Sequence, residues 1–571
     1  MAAGSNPEAR ARPGLRLLAK RAVLRARLAL AATRIGRAGF KARRFAYLPP
    51  HIHLADPSIA ADFAAGHVVL AGRSLICGDR SPFHLPAPSG GFEAALFGFA
   101  WLAHAEASEN PLIRQHARRL VRDFLGLDGE SRPARADHPS VIARRVISWL
   151  THSALLVEGE DIEGYDTLLD QLARDGAMLH HFARRTDIGL HRLEAAVALT
   201  FHALTLDRGK KALTRAERLL DLALASLVAP DGASADRDAG TVTLIAADLV
   251  AMLALYRVRQ VSPPVAISST LADMIAFLRM IQHPDGGLVL MNGGGRVPRD
   301  LASEVIRSRR GQPNLVNSAV ESGFERVENV HAVLVADAGV PPRRSCSGRA
   351  GLGALAFEFS SRADRIIVNC GMPPGADGPT ERAYRSAAAH STLLMDDESL
   401  DWLEPTGTVL GGTEERVRSR GGSVAPLRAR GPNGETLTLA HRGFLEPFGY
   451  LVERHLTLTE VLPGLMGRDR LLDQSGQGET RRVTALFHLN PRIVPVRLSR
   501  SDAIVLRLPD VRPGHDQFLF EAPGHALALE ESRVFEPGSN TTRSHVIILE
   551  TNIRGSADLV WRLLPYLPEL S

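Results

Sequence analysis

The chain has 571 residues, of which 45% are hydrophobic and 23% charged, with a mean hydropathy near zero. That composition suits a globular protein of about three domains, or two large ones, with full apolar cores; it excludes a wholly disordered, collagen-like or coiled-coil chain. The net charge of +5 hides a split, because residues 1–45 carry twelve Lys/Arg against Glu8 alone (+11), leaving 56 basic and 62 acidic residues (−6) for the rest.

Three cysteines, Cys77, Cys346 and Cys370, stand in no metal-type spacing and exclude both a disulfide scaffold and a cysteine-based zinc site. No run of 18 or more apolar residues occurs, so no membrane-spanning helix is expected. In chain order, residues 1–45 form a basic arm. Its stretch RLLAKRAVLRARLALAATRIGR sets Leu17, Leu18, Val23, Leu24, Leu28 and Leu30 among regularly spaced arginines. This pattern predicts an amphipathic basic helix suited to a membrane surface, an anionic partner or the flank of the folded body. Arginines interrupt every candidate apolar core, which argues against an export signal and for the cytoplasm.

Residues 46–310 read as all-helical. Apolar residues recur every three to four positions over 93–105, 141–157, 166–185, 190–206, 215–228, 241–258 and 270–282, separated by punctuation such as APDG and HPDGG. Several of these helices are apolar over most of their circumference, which predicts layers packed on both sides. After the glycine-rich MNGGGRVPRD the period changes to two. Strands are predicted at 331–339, 352–360, 364–371, 390–397, 436–443, 450–460, 482–490, 503–508, 526–532, 545–552 and 557–564, so residues 311–571 read as a β-sandwich. No phosphate-cradling loop or strand–helix alternation accompanies them, and no nucleic-acid partner is expected.

Three segments hold side chains with chemical potential. AYRSAAAHSTLLMDD brings Tyr384, Arg385, His390, Ser391, Thr392, Asp396 and Asp397; a histidine at a strand entry can titrate, donate or ligate, or be satisfied inside the sandwich. GLHRLEAAVAL puts His191 and Arg192 at a helix start, where an anion is welcome or where both simply cap and pack. RRVISWL offers Arg144 and Arg145 to a carboxylate, and Trp149 to a sugar ring or, by default, to the helical core.

Taken in order, GRSLICGDRSPF, ARRVISWLTHSALL, GLHRLEAAVAL, IQHPDGGLVLMNGG, ESGFERVE, VLVADAGVPP, LAFEFS, RIIVNCGMP, YRSAAAHSTLLMDD, FGYLVERHLTL and TALFHLNP resemble the heparinase II/III-like proteins of bacteria, a polysaccharide lyase family. The resemblance runs over nearly the whole chain from about residue 48. It implies an incomplete (α/α) toroid followed by an antiparallel β-sandwich, a periplasmic setting, an acidic polysaccharide as partner, and β-elimination at a uronic acid. In that reaction a side chain neutralises the uronate carboxylate, a base removes the adjacent proton, and the 4-linked oxygen departs. From the residue patterns and the resemblance together, the expected catalytic positions are His191, Arg349, His390 and Tyr384, and the expected substrate-binding positions Arg144, Arg192, Arg237 and Arg385. The carry-over is uneven. The family's Asn before the histidine falls on Leu190, the tyrosine after the next DG is missing from DGASADRDAGTVTL, and its His-x-His motif falls on Arg349, Gly351 and Gly353. No cofactor is required; the family's structural zinc would rest on Asn369 and His390, of which only the histidine is a usual ligand. Tyr384, His390, Arg385, His441, Tyr450 and His455 are the residues that can substitute, although alternation along YLVERHLTL puts Tyr450 and His455 on opposite faces. Two readings follow: a lyase acting on a uronic-acid polysaccharide, or a non-catalytic binder of acidic glycan on the same scaffold.

Overall fold

A computed structural model describes residues 14–50, 55–129, 131–309, 316–411, 413–476, 478–509, 517–536 and 541–566. The N-terminal half is an incomplete toroid of helices. Helices Gly90–Gly98, Pro139–Thr151, His191–Thr205 and Ala239–Val258 form the inner layer, each packed on the next in that order. Outside them lie Pro111–Leu125, Ile162–Ala183, Lys210–Leu227 and Val265–Met280. The starts are set locally: Asn110, Asp161 and Asp238 accept backbone N–H groups as N-caps, and prolines 111 and 139 occupy first turns.

The inner helices are buried on most of their circumference, which explains why they read as apolar all round. By length and composition alone Ala239–Val258 would cross a membrane, contrary to expectation, but its neighbours in the toroid enclose it. Arg145 and Asp175 are both fully buried; the arginine donates to both carboxylate oxygens at 2.8 Å and to the Ala136 carbonyl at 2.9 Å, tying the inner layer to the outer. Trp149 fills the core against Phe99 and Phe124, so it stacks on no sugar.

Among the described residues the C-terminal half holds two large antiparallel sheets. One has eight strands in the spatial order Ser423–Gly431, Gly434–His441, Tyr450–Thr459, Leu465–Asp473, Ala557–Pro565, Gln517–Glu521, Ala503–Arg507, Val494–Arg497. The other has nine, with Thr480–Leu489 central between Thr541–Arg554 and Asp364–Val368, and with Phe357–Ser361 and Ala332–Asp337 following. Trp561 centres the core between them, its ring 4.8 Å from Phe487 and 5.7 Å from both Phe357 and Phe520. Gly467 makes room for it, since a Cβ there would lie 2.0 Å from the indole. Leu465–Asp473, a strand hidden in sequence by its run of charges, carries Asp469 inward to Arg454 and to the Trp561 N–H. Arg454 also donates to the carbonyls of Leu355 (3.0 Å) and Ser391 (3.1 Å).

The halves meet through polar ties. The turn His283–Gly287 enters the sandwich: His283 lies between Glu358 (3.1 Å) and Ser360 (2.7 Å), and Arg365 clamps Asp285. Arg326 donates to the Met280 and Gln282 carbonyls at the end of the preceding helix. The N-terminal arm, described from residue 14, forms helix Leu15–Ala32, which lies along Ile162–Ala183. It also touches the sandwich, where Arg21 donates to the Thr408 carbonyl at 2.8 Å.

Candidate functional site

The inner helices Pro139–Thr151, His191–Thr205 and Ala239–Val258 begin near one another, and the second and third begin beside the sandwich half, Gly189 lying against Ser345 and Gly293 between Asp238 and Arg349. Unpaired N–H groups and dipoles at these helix starts make that junction receptive to negative charge. His138 precedes the first helix and His191 opens the second; their rings meet edge-to-face at 4.6 Å. His191 Nδ1 lies 2.9 Å from Glu194, one turn along its own helix, and His138 Nδ1 lies 2.7 Å from the Ser140 hydroxyl. Asp238 caps the third helix through the Gly240 N–H at 2.8 Å and pairs with Arg296 from the glycine-rich loop. Arg144 donates to both oxygens of Asp248, at 3.0 and 2.9 Å. That last pair forms part of the wall of a cavity of about 330 Å³ lined by Trp101, Ile147 and Phe201.

Arg349 enters this cluster from the sandwich. Its backbone lies against Gly293, whose φ of +84° and close neighbour (a Cβ would sit 3.2 Å from the Arg349 carbonyl) both call for glycine. The Arg349 side chain is exposed and makes no ion pair with a described residue. Its charge reaches the groups across the junction. Burial pushes the His138 imidazole down to about 3, with His191 and Arg349 adding to the effect. Burial lowers Arg296 to about 9, again helped by Arg349. Burial raises Glu194, but the hydrogen bond and charge of His191 and the charge of Arg349 outweigh it and hold the carboxyl below its ordinary value. The result is an imidazole–carboxylate pair beside a neutral imidazole, facing an unpaired guanidinium.

The structure thus brings together His191, Arg349 and Arg144 of the residues expected from sequence, and it places the others elsewhere. Arg192 turns to the outer layer, donating to the Ser226 hydroxyl at 3.0 Å and the Ala183 carbonyl. Arg237 is buried: it pairs with Asp337, donates to the Ser322 carbonyl at 2.6 Å and stacks on Phe324, so it clasps the halves and stands apart from His191 and Arg349. Arg385, also buried, donates to the carbonyls of Ala350 (3.0 Å), Ser347 (3.1 Å) and Glu415 (3.0 Å), and so pins the loop that carries Arg349.

His390 lies beneath that same loop, 3% exposed, with burial pushing it down to about 4. A Cβ on Gly351 would stand 2.3 Å from its Nε2, and one on Gly353 3.0 Å from its ring. The two glycines read as replacements for a His-x-His motif are therefore required by the buried imidazole. Tyr384 bonds Thr541 at 3.4 Å, Tyr450 the Gly555 carbonyl, His455 Thr438, and His441 the Gly443 N–H; none of them joins the cluster. A zinc site does not fit the donors at Asn369 and His390. The Asn369 amide donates to Glu358 at 3.0 Å and accepts the Ser391 N–H at 2.9 Å, and no group of three His, Cys, Asp or Glu suited to a metal occurs among the described residues.

Residues 311–562 match the family model described as Heparinase II/III-like, C-terminal. A crystal structure of heparinase III superposes on 95% of the chain, and on 89% of its own, with a TM-score of 0.70 at 11% identity. The chain carries a heparinase II/III-like C-terminal domain. Its toroid and sandwich also match a heparan sulfate lyase HepC mutant from Pedobacter heparinus (TM-score 0.58, 14% identity, 96% of this chain and 89% of that one). By sequence it is 29% identical over 453 residues to the FtsZ-localized protein C of Caulobacter vibrioides, covering 76% of each chain.

Sequence reasoning missed His138, Glu194, Asp238, Asp248 and Arg296. One signal was present: acidic residues at helix starts and one turn in, at Asp238 and Glu194, sit where they can orient a neighbour. No local signal marks His138 or Arg296.

Proposed function

We propose that the trench between the toroid and the sandwich binds a uronic-acid-containing polysaccharide and cleaves it by β-elimination. One observation carries this reading: His191 is paired with Glu194 at 2.9 Å, and the charge of Arg349 is near enough to help hold that carboxyl below its ordinary value. Nδ1–H of His191 donates to Glu194, which leaves Nε2 with its lone pair as the base. Arg349 meets the uronate carboxylate and offsets the charge that grows there as the adjacent proton leaves. The proton taken by Nε2 is returned to the departing 4-linked oxygen, so His191 ends as it began and the product carries a carbon–carbon double bond conjugated to its carboxylate. Tyrosine plays no part in this scheme.

The test is ultraviolet absorbance of the unsaturated uronate when purified protein meets heparan sulfate, hyaluronan, alginate and bacterial exopolysaccharides. A rise with one of them, abolished in His191→Ala, is the expected result. No rise with any polymer removes the catalytic reading.

A second reading is supported by the trench's carboxylates. Glu194, Asp236, Asp238 and Asp248 stand beside Arg144, Arg296 and Arg349, so the side-chain charge is close to balanced and not strongly cationic. On this view the chain binds an acidic glycan without cleaving it, and localizes with FtsZ as the Caulobacter relative's name says of that protein. Salt-sensitive glycan binding that survives His191→Ala and His390→Ala, without turnover, would support it.

A further inference from the structure

The helix Leu15–Ala32 has two apolar faces, and only one of them is used by the fold. Leu24 and Ala31 are buried, and Leu17 and Leu28 half-buried, in a stripe that packs onto the body. At about 100° per residue the opposite side presents Leu15, Leu18, Val23 and Leu30. They are 86%, 46%, 50% and 57% exposed, and the alanines 19, 22 and 26 lie between them. No polar residue interrupts this outer face. The cations stand at its two edges, Arg16 and Arg27 on one side and Arg25 on the other, and these three make no ion pair with a described residue. The short turn that follows adds Arg34 and Ile35, the latter 86% exposed. No acidic residue occurs from 14 to 45.

We propose that this outward face docks the protein on an anionic lipid surface. A helix that merely flanks a soluble body presents polar residues to water, whereas this one presents aliphatic ones. Aliphatic side chains in the middle and long cations at the margins match the layered chemistry of a membrane interface, with acyl chains below and phosphates at the sides, and the arginine stems extend outward to reach them. A nucleic-acid surface would call for the reverse order, with cations at the centre of the face. The charge split supports the orientation: the remaining body carries a net −6 and is repelled by the surface that attracts the arm. Docking of this kind is independent of the chemistry assigned to the trench.

The experiment is co-sedimentation of the full chain with phosphatidylcholine vesicles, with and without about one-quarter phosphatidylglycerol, at low and high salt. The expected result is binding to the anionic vesicles alone, weakened by salt. Leu15→Glu with Leu30→Glu should weaken it at least about tenfold while the thermal midpoint stays unchanged, because neither side chain contacts the body. Replacing Arg16, Arg25 and Arg27 by Gln should flatten the salt dependence. The proposal is overturned if the chain stays in the supernatant with anionic vesicles at low salt, or if the double Glu variant binds as the parent does. It is equally overturned if that variant's effect is to dissociate a dimer in light scattering, or if duplex DNA binds more tightly than vesicles and survives the variant.

Discussion

In the proposed elimination, Glu194 decides which nitrogen of His191 is available to substrate. A carboxylate at 2.9 Å from Nδ1 holds the proton there and turns Nε2 outward as the basic atom. Glu194→Gln preserves size but offers a neutral partner that can donate as well as accept, so the tautomer is no longer fixed. Turnover should then fall by about 10²–10⁴-fold with little change in KM, the range for loss of a positioned general base. Arg349→Gln should instead act on KM and kcat together, because the guanidinium meets the carboxylate before and during proton removal. Initial rates of unsaturated product separate the two patterns; equal effects of both substitutions on KM alone would contradict these two roles. His191 and Arg349 were legible in sequence because each lies in a segment whose neighbours have a recognisable order. His138 and Arg296 were not, since each acquires meaning only when distant helices and a loop fold onto the same junction. Buried His390 misled because a histidine in a polar segment reads the same whether it lines a cleft or fills a space under two glycines.

Elements carry the site through the loop 346–353. Arg385 holds its carbonyls from below, and the His390 ring occupies the volume that side chains at 351 and 353 would need. Gly351→Ala should lift the loop and displace Arg349, lowering kcat/KM at least about tenfold through misplacement alone. The double variant Gly351→Ala/His390→Ala removes the clash and should recover most of the lost activity. A non-additive cycle of this kind distinguishes steric displacement from a catalytic role for His390, which would leave the double variant no better than the single one. Arg385→Ala should act in the same direction, read as faster hydrogen exchange confined to 346–353. At this scale the sequence was informative wherever one periodicity dominated: the inner helices and the alternating strand Tyr450–Thr459 fell where expected. It failed at Pro111–Leu125, where four arginines and other polar residues lower the overall apolar content although Ala117, Leu120, Val121 and Phe124 form a clean buried stripe, and at Leu465–Asp473, where Arg468, Asp469 and Arg470 conceal a strand whose middle charge is paired inside the core.

For the molecule as a whole, the halves are joined by buried polar groups, and that choice makes cohesion depend on charge state. Arg237 and Asn292 both serve Asp337, so Arg237→Ala leaves a buried carboxylate with neutral partners alone, Asn292 and the Gly339 N–H, and should cost about 3–5 kcal/mol, seen as a lower urea midpoint. Acid should loosen the sandwich by a different route. His390, His441 and His488 are each held near 4 by burial, whereas in the unfolded chain an imidazole titrates near 6.5. Between those values the unfolded state binds more protons, so stability rises with pH across the window and is lost as pH falls from about 6.5 to about 4, by up to roughly 3 kcal/mol per histidine. The carboxylates held below their ordinary values, Glu358 and Asp285 among them, lose their contribution only at lower pH, while Asp401, 4.0 Å from His441 and raised by burial to about 6, works the other way and offsets about one of the three histidines. Urea midpoints taken at about pH 7, 6 and 5 should therefore decline steadily. In His441→Gln, where an amide oxygen can still accept the Gly443 N–H, the decline should be shallower by one histidine's share. An unchanged slope in that variant, or a midpoint that climbs on acidification, would mean that these imidazoles are not kept neutral by the fold.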